Sequence, residues 1–322
     1  MEGKEMTRRK IVVALGGNAI QSGDGSAQAQ QEALERTAEQ LVKILENDAD
    51  IVITHGNGPQ VGTLLLQQKI ADSTATPAMP LDTCGAMSQG MIGYWMENAI
   101  EKALKKHRIN KQVATVITRV VIDQEDKAFK NPTKPVGPFY TEEEARQLMK
   151  DAEAVFKEDS GRGWRRVVPS PRPVNIREKE IISSLVREGH IVIAVGGGGI
   201  PVVEYAEGLQ GVEAVIDKDF AAQKLAELVG ADILMILTAV DHVYINFNKD
   251  NQSKLGRTSI QELETYIKEG QFAAGSMLPK IQAAIHFAGT NPERQSIITS
   301  LDKAYEALEG KAGTIITKSG SH

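Results

Sequence analysis

The sequence predicts an α/β protein: a mostly parallel sheet with helices covering both faces. Short runs rich in valine and isoleucine recur along the chain. They are IVVAL (11–15), IVIT (51–54), VATVIT (113–118), IVIAV (191–195), ILMILTAV (233–240) and SIIT (296–299). Runs of this length without alternation suit strands buried on both faces. The stretches between them carry helical patterns, and strand–helix alternation implies crossover connections and therefore parallel pairing.

Between the first two runs, Leu34, Ala38, Leu41 and Leu45 fall at helical spacing among Glu and Gln, an amphipathic helix. A second helix is expected from Met87 to Lys106, and a third after Asp217 with Leu225 and Leu228 apolar. Two segments break the alternation. Residues 123–174 hold six of the twelve prolines, with basic residues at Arg162, Arg165, Arg166 and Arg172. This is too long for an ordinary connection, and Phe129, Phe139, Tyr140, Phe156 and Trp164 favour an ordered, lid-like subdomain. The second segment, VYINFNKDNQSK (243–254), reads as a hairpin near the sheet edge.

Composition narrows the function. Apolar content of 41% and charged content of 25% fit an ordinary globular chain, and 322 residues can build a large domain or two lobes. A net charge of −5 argues against a general nucleic-acid binder. The single cysteine, Cys84, excludes an internal disulfide and a cysteine-based zinc site, and points to a reducing compartment. No apolar run is long enough to cross a bilayer, and the start MEGKEMTRRK lacks a signal-peptide core, so a cytoplasmic protein is expected.

Glycine clusters stand out at Gly16-Gly17-Asn18, Gly56-Asn57-Gly58, Gly85 with Gly90, and Gly196 to Gly199. One such cluster needs no more than a sharp turn. Several at strand ends suggest backbone N–H groups gathered around an anionic ligand, outside the carboxyl ends of the strands. Gly16, Gly17, Asn18, Gly56, Asn57, Gly58, Gly197 and Gly198 are the candidates. A P-loop is excluded because no lysine follows the glycines, and a dinucleotide fingerprint fits poorly because the last glycine of GNGPQVG falls one position late.

The positive charge that a phosphate needs must come from elsewhere. Three lysines sit in suggestive contexts: Lys134 between prolines in NPTKPVG, Lys218 between Asp217 and Asp219 at a helix start, and Lys280 after a Gly-Ser turn and a proline. A helix N-terminus favours anions, so lysine there is not chosen by the dipole. A solvated surface role is the competing reading for each.

The motifs VVALGGNAI, GNGPQVG, CGAMSQGMIGY, NPTKPVGPFY, GRGWRRVVPSPRP, GGGGIPV, AVIDKDFAA, LTAVDHVYINF and FAAGSMLPKI resemble the successive signatures of the carbamate kinases, within the amino-acid kinase superfamily. The resemblance runs from Lys10 to about Lys318. It implies a three-layer αβα sandwich around an open, mainly parallel sheet of about eight strands, typically in a homodimer. Residues 1–210 would form the carbamate or carbamoyl-phosphate lobe, with a protruding subdomain at about 123–174, and residues 211–322 the nucleotide lobe. By the same resemblance, Lys134, Lys218 and Lys280 stabilise phosphate and Asp219 orients Lys218. Asp217, Asp241, Tyr244 and Met277 fall on the nucleotide side. Acetylglutamate kinase-like members keep a lysine where this chain has Ala14, and Lys134 would replace it.

The implied reaction is ATP + carbamate = ADP + carbamoyl phosphate, working toward ATP in arginine or agmatine catabolism. Another acceptor, or a non-catalytic anion sensor on the same fold, are the alternatives. Carbamate is already ionised, so no general base is needed. His55 then reads as structural, and Cys84 as a small buried hydrophobe. Mg2+ is expected to arrive with the nucleotide phosphates rather than in a cage of protein ligands. The Met and aromatic residues of CGAMSQGMIGYW suit core or a dimer interface, and the arginines of the insertion either steer anions or solvate it.

Overall fold

The computed structural model describes residues 8–20, 24–46, 49–151, 154–159 and 161–319, with the side chains of Asn18 and Asp151 outside the described set. Most of the leader MEGKEMTRRK (residues 1–7) also lies outside it.

The chain enters through β1 (Arg9–Leu15), crosses by α1 (Ala27–Leu45) to β2 (Ala49–His55), and follows α2 (Gly58–Ala71) and α3 (Leu81–His107) to β3 (Val113–Val116). After β4 (Arg119–Ile122) it builds a protrusion from β5 (Lys134–Tyr140), α4 (Glu142–Asp151), β6 (Val155–Glu158) and β7 (Trp164–Val168). It returns by β8 (Pro173–Ile176) and α5 (Lys179–Arg187) to β9 (Ile191–Ala194) and the hairpin β10 (Ile200–Tyr205) and β11 (Gly208–Gly211). Then come α6 (Lys218–Leu228), β12 (Ile233–Thr238), β13 (Val243–Ile245), β14 (Ser253–Leu255), β15 (Arg257–Ser259) and α7 (Ile260–Lys268). The last elements are α8 (Met277–Gly289), β16 (Gln295–Ser300), α9 (Ala304–Leu308) and β17 (Thr314–Thr317).

Eight strands form the central sheet in the order β15-β17-β16-β12-β1-β2-β9-β3. Every neighbouring pair is parallel except β16 with β17. All six apolar runs of the sequence lie in this sheet, and successive residues alternate between its two faces. Val12, Ala14, Val52, Leu234 and Ile236 join one core with α5, α6 and α8. Ile11, Val13, Ile53, Met235 and Leu237 join the other with α1 and α3. That is the expected sandwich, with no face of the sheet left polar.

The segment VYINFNKDNQSK does form an antiparallel pair, β13 with β14, but as a separate two-stranded sheet. Gly85 and Gly90 are not at a strand end. Both lie within α3: Gly90 inside the helix expected from Met87, and Gly85 because the helix begins earlier, at Leu81. The protrusion is an ordered three-stranded antiparallel sheet, β5-β7-β6, with Tyr140 and Phe156 edge to face at 5.4 Å. Val136 and Val168 seat it on the body against Val61, Leu81 and Cys84. Cys84 is fully buried there, and burial followed by the charge of Asp82 pushes its thiol pKa up. Among the described residues no helix is long and apolar enough to cross a membrane.

α3 packs on β3 through Gly93, where an added Cβ would lie 2.4 Å from Thr115 Cγ2. Gly93→Ala, which in an open helix stabilises by about 1 kcal/mol, is therefore expected to destabilise by about 1–3 kcal/mol through overpacking. Urea unfolding measures it. Adding Thr115→Ala should recover most of the loss, and simple additivity of the two changes would show that this contact is not the cause.

Candidate active site

The glycine loops gather at the carboxyl ends of β1, β2 and β9. Gly16 leaves β1 with its Cα against β12: a Cβ there would sit 2.9 Å from the Leu237 carbonyl oxygen. Gly17–Ala19 then makes one 3-10 turn. After β2, Gly56 passes over the Lys218 stem, and Asn57 stands at the N-terminus of α2. The Asn57 amide does not cap that helix but donates to Ser88 Oγ at 2.8 Å. After β9, Gly197 takes a left-handed φ of 68°, with its α-carbon pressed on the Asn57 amide, a place and a backbone only glycine accepts.

These loops wall a cavity of about 240 Å³ lined by Gly17, Gly56, Asn57, Gly58, Gly197, Lys134 and Lys218, among others. Gly16 and Gly198 stand behind the lining; Gly198 packs on the Ile216 carbonyl. The Asn18 side chain lies outside the described residues.

The three candidate lysines, 146 residues apart at their extremes (280 − 134), converge on one pair of aspartates. Lys134 Nζ donates to Asp217 Oδ2 at 2.8 Å. Lys280 Nζ donates to Asp219 Oδ2 at 2.9 Å, and Lys218 Nζ lies 3.1 Å from Asp219 Oδ1 while donating to the Leu15 carbonyl at 3.0 Å. Asp217 also caps α6, its Oδ1 accepting from Asp219 N. Burial opposes ionisation of Asp219, but the charges of Lys218 and Lys280 overcome it and hold its pKa down to about 2. Burial pulls the Lys218 pKa below its ordinary value, and Asp219 offsets part of that. Three ammonium groups are thus paired with two carboxylates, and the Arg172 guanidinium also interacts with Asp217.

A second cavity of about 510 Å³ is lined by Lys280 together with Thr238, Tyr244, Phe247, Phe272 and Met277, among others. Its volume and apolar-aromatic walls suit a small-molecule ligand. Tyr244 and Met277 thus both line this cavity. Asp241 does not line it: its side chain is exposed, and its carbonyl accepts from Thr299 Oγ1 at 3.1 Å. Asp217 faces Lys134 rather than this second cavity.

Sequence reading missed Phe247 and Phe272. Phe247 was visible as an aromatic in a polar hairpin turn, whereas nothing local marks Phe272. It also missed the Leu15 carbonyl, since a backbone acceptor leaves no trace in composition.

The arginines of the protrusion are engaged. Arg162 pairs with Asp159, Arg165 donates to the Gly137 carbonyl, Arg166 pairs with Glu213 on the body, and Arg172 stacks 3.3 Å over Phe220. They brace the subdomain rather than line the cavity. Among the described residues no three His, Cys, Asp or Glu side chains cluster as a metal cage. Asp217 and Asp219 are the carboxylates of the network, and Asp219 Oδ1 is buried without a hydrogen bond of good geometry. They fit a metal that brings most of its ligands with it.

A family model described as the amino acid kinase family matches residues 9–299. The chain is 59% identical to a carbamate kinase of Latilactobacillus sakei over 97% of this chain and 100% of that one. It is 57% identical to carbamate kinase 1 of Enterococcus faecium, covering 96% of this chain and 99% of the other. Among solved structures, carbamate kinase from Giardia lamblia bound to AMP-PNP superposes with a TM-score of 0.90 at 44% identity, covering 97% of this chain and 99% of that one.

His55 is fully buried beneath these loops, with Nδ1 2.8 Å from the Gly56 carbonyl oxygen. Burial holds its pKa down to about 4, Lys218 adds to this, and the Gly56 bond opposes it. Between pH 6.5 and 4 the unfolded chain binds a proton that the folded chain refuses, so stability falls on acidification through that window. At pH 4 the loss is about 3 kcal/mol. The Asp219 contribution is lost only below pH 3.8, outside the window. Urea unfolding at pH 7.5 and pH 4.5 should show a smaller pH dependence for His55→Asn than for the native chain; equal slopes would place the titration elsewhere.

Proposed function

The chain belongs to the amino acid kinase family, and we propose that it transfers a phosphoryl group reversibly between ATP and carbamate, giving ADP and carbamoyl phosphate. The observation that carries this reading is the Asp219 carboxylate, which holds one lysine at each cavity: Lys218 at the glycine loops and Lys280 beside Tyr244 and Met277. A phosphoryl group passing between two sites needs cations along its path.

In this reading Gly16, Gly17, Asn18, Gly56, Asn57, Gly58, Gly197 and Gly198 shape the carbamate and phosphoryl side. Tyr244 and Met277 hold the nucleotide, with Asp241 at its periphery and Asp217 anchoring Lys134. Lys134, Lys218 and Lys280 neutralise charge as it develops on the transferred group, and Asp219 fixes two of them before substrate arrives. The nucleophile is a carbamate oxygen, ionised at neutral pH, so no base is required. Mg2+ entering with the nucleotide would neutralise its phosphate oxygens, with Asp217 and Asp219 as the nearest protein carboxylates.

Residues 1–210, with the protrusion of 123–174, would serve the carbamate side, and residues 211–322 the nucleotide. We place the reaction in the cytoplasm, toward ATP in arginine or agmatine catabolism, on the likeness to the carbamate kinases.

The homodimer would use the outer face of α3. Met87 (41% exposed), Gly90 and Tyr94 (62% exposed) run along it, and Ile117 (44% exposed) follows β3 beside it. An apolar line of this kind on a helix suits self-association. Tyr94→Glu is expected to shift sedimentation velocity from dimer to monomer; an unchanged dimer would move the interface off this face.

The activity is tested by coupled detection of ATP formed from ADP, carbamoyl phosphate and Mg2+. Turnover is expected, and its absence in folded protein that instead phosphorylates N-acetylglutamate or UMP would overturn the proposal. Lys134→Ala should lower kcat by roughly 100-fold or more, as loss of one charge-stabilising donor does elsewhere, with an unchanged circular dichroism spectrum. Near-native turnover would show that this cation does not act on the phosphoryl group.

A further inference from the structure

The motif CGAMSQGMIGY has no part in the reaction as described, yet two of its residues reach the cavity loops. Ser88 and Gln89 lie on the inner face of α3, both fully or almost fully buried. Ser88 Oγ accepts from the Asn57 amide at 2.8 Å and donates to the Gly85 carbonyl at 2.7 Å. Gln89 grips the backbone of Thr118 from both sides: its Oε1 accepts from Thr118 N at 2.8 Å, and its Nε2 donates to Thr118 O at 3.2 Å.

Thr118 in turn controls a strained residue. Val195, fully buried at the end of β9, has φ 57° and ψ 30°. A β-branched side chain in that region is a true outlier, and such strain persists only where the surroundings fix it. Two threonines fix it. The Val195 N–H donates to Thr118 Oγ1 at 3.0 Å, and Thr54 Oγ1 donates to the Val195 carbonyl at 3.0 Å. Val195 is the residue from which Gly196–Gly198 departs, so its backbone sets where Gly197 meets the cavity wall. The same Gly197 presses on Asn57, the residue Ser88 holds.

We infer that Ser88, Gln89 and Thr118 are positioning residues for the anion cavity: α3 holds its two loops in register, one through Asn57 and the other through Thr118 and the strained Val195. None of the three touches the transferred group in this scheme; they act through Asn57 and Gly197. The inference rests on the proposed reaction only for the identity of the ligand.

The test compares Thr118→Val, Thr118→Ser and Ser88→Ala in the full chain. Thr118→Val keeps the shape but loses the acceptor for Val195 N. It should raise KM for carbamoyl phosphate by roughly tenfold, the effect of losing one buried hydrogen bond, while KM for ADP stays within about twofold of native, the scatter expected of an untouched site. Thr118→Ser retains the hydroxyl and should behave as native. Ser88→Ala reaches the other loop and should raise the same KM severalfold with little change in melting temperature, which keeps the inference testable if Thr118→Val fails to fold. Equal loss for both substrates, or no rescue by serine, would mean a general structural role and overturn it. Calorimetric titration with inorganic phosphate separates the two proposals. If the native chain turns over no carbamoyl phosphate, the reaction falls, while phosphate binding weakened in Thr118→Val and kept in Thr118→Ser still upholds the positioning; unaltered phosphate binding in both refutes it.

Discussion

One carboxylate, Asp219, organises the rest of the molecule around the site. It is 4% exposed and receives two ammonium groups, from Lys218 and Lys280. Three charges withdrawn from water are costly unless their geometry is mutual, and removing one partner leaves the others buried and unpaired. Here the geometry is set by the first turn of α6. Its N-terminus favours carboxylates, so Asp217 and Asp219 belong there, and the lysines are held by the aspartates against the dipole's own preference. From that turn Lys218 reaches the Leu15 carbonyl at the end of β1, Lys280 comes from α8, and Lys134 from β5. β1, α8 and the protrusion thus meet at Asp217 and Asp219.

This arrangement holds the three ammonium groups in place through the protein's own carboxylates. A side chain that had to be ordered during the reaction would lose part of its electrostatic benefit to reorganisation. Lys218 and Lys280 are each 15% exposed and fixed on Asp219. Lys134, 34% exposed and paired with Asp217 alone, keeps more freedom. The three cations therefore differ in kind: two belong to the body of the site, and one arrives with the protrusion.

Much of this was legible in the sequence. Val/Ile runs marked six of the eight central strands because strands buried on both faces cannot afford polar interruptions. β15 escaped because an edge strand of three residues, Arg257–Ser259, needs no long apolar run, and β17, paired on both sides, escaped because only Thr314–Thr317 mark it. α2 escaped for another reason: only Gln60 and Val61 are buried along it, so it has no apolar stripe to read. At the site, lysines flanked by proline or aspartate were conspicuous. The groups that orient them were not, since the Leu15 carbonyl and the Val195 backbone are conformations rather than residue types. The arginines of the insertion show the limit most clearly. Their number left steering and solvation equally open, and only their partners, Asp159, Gly137, Glu213 and Phe220, decide that they brace the subdomain.

The absence of a lysine at Ala14 now has a structural counterpart. Ala14 is fully buried in the core shared with α6 and α8. A lysine instead reaches Asp217 from β5: Lys134, whose register is fixed by β7, lies opposite Val168. Two residues on, Val136 packs with Val168 against Val61, Leu81 and Cys84. The seat that anchors the protrusion and the cation that it delivers are thus on one short strand. A displacement large enough to unseat Val136 must also draw Lys134 from Asp217. The seating of the protrusion and the pairing of Lys134 with Asp217 are consequently coupled, a link that a lysine carried on β1 could not have made.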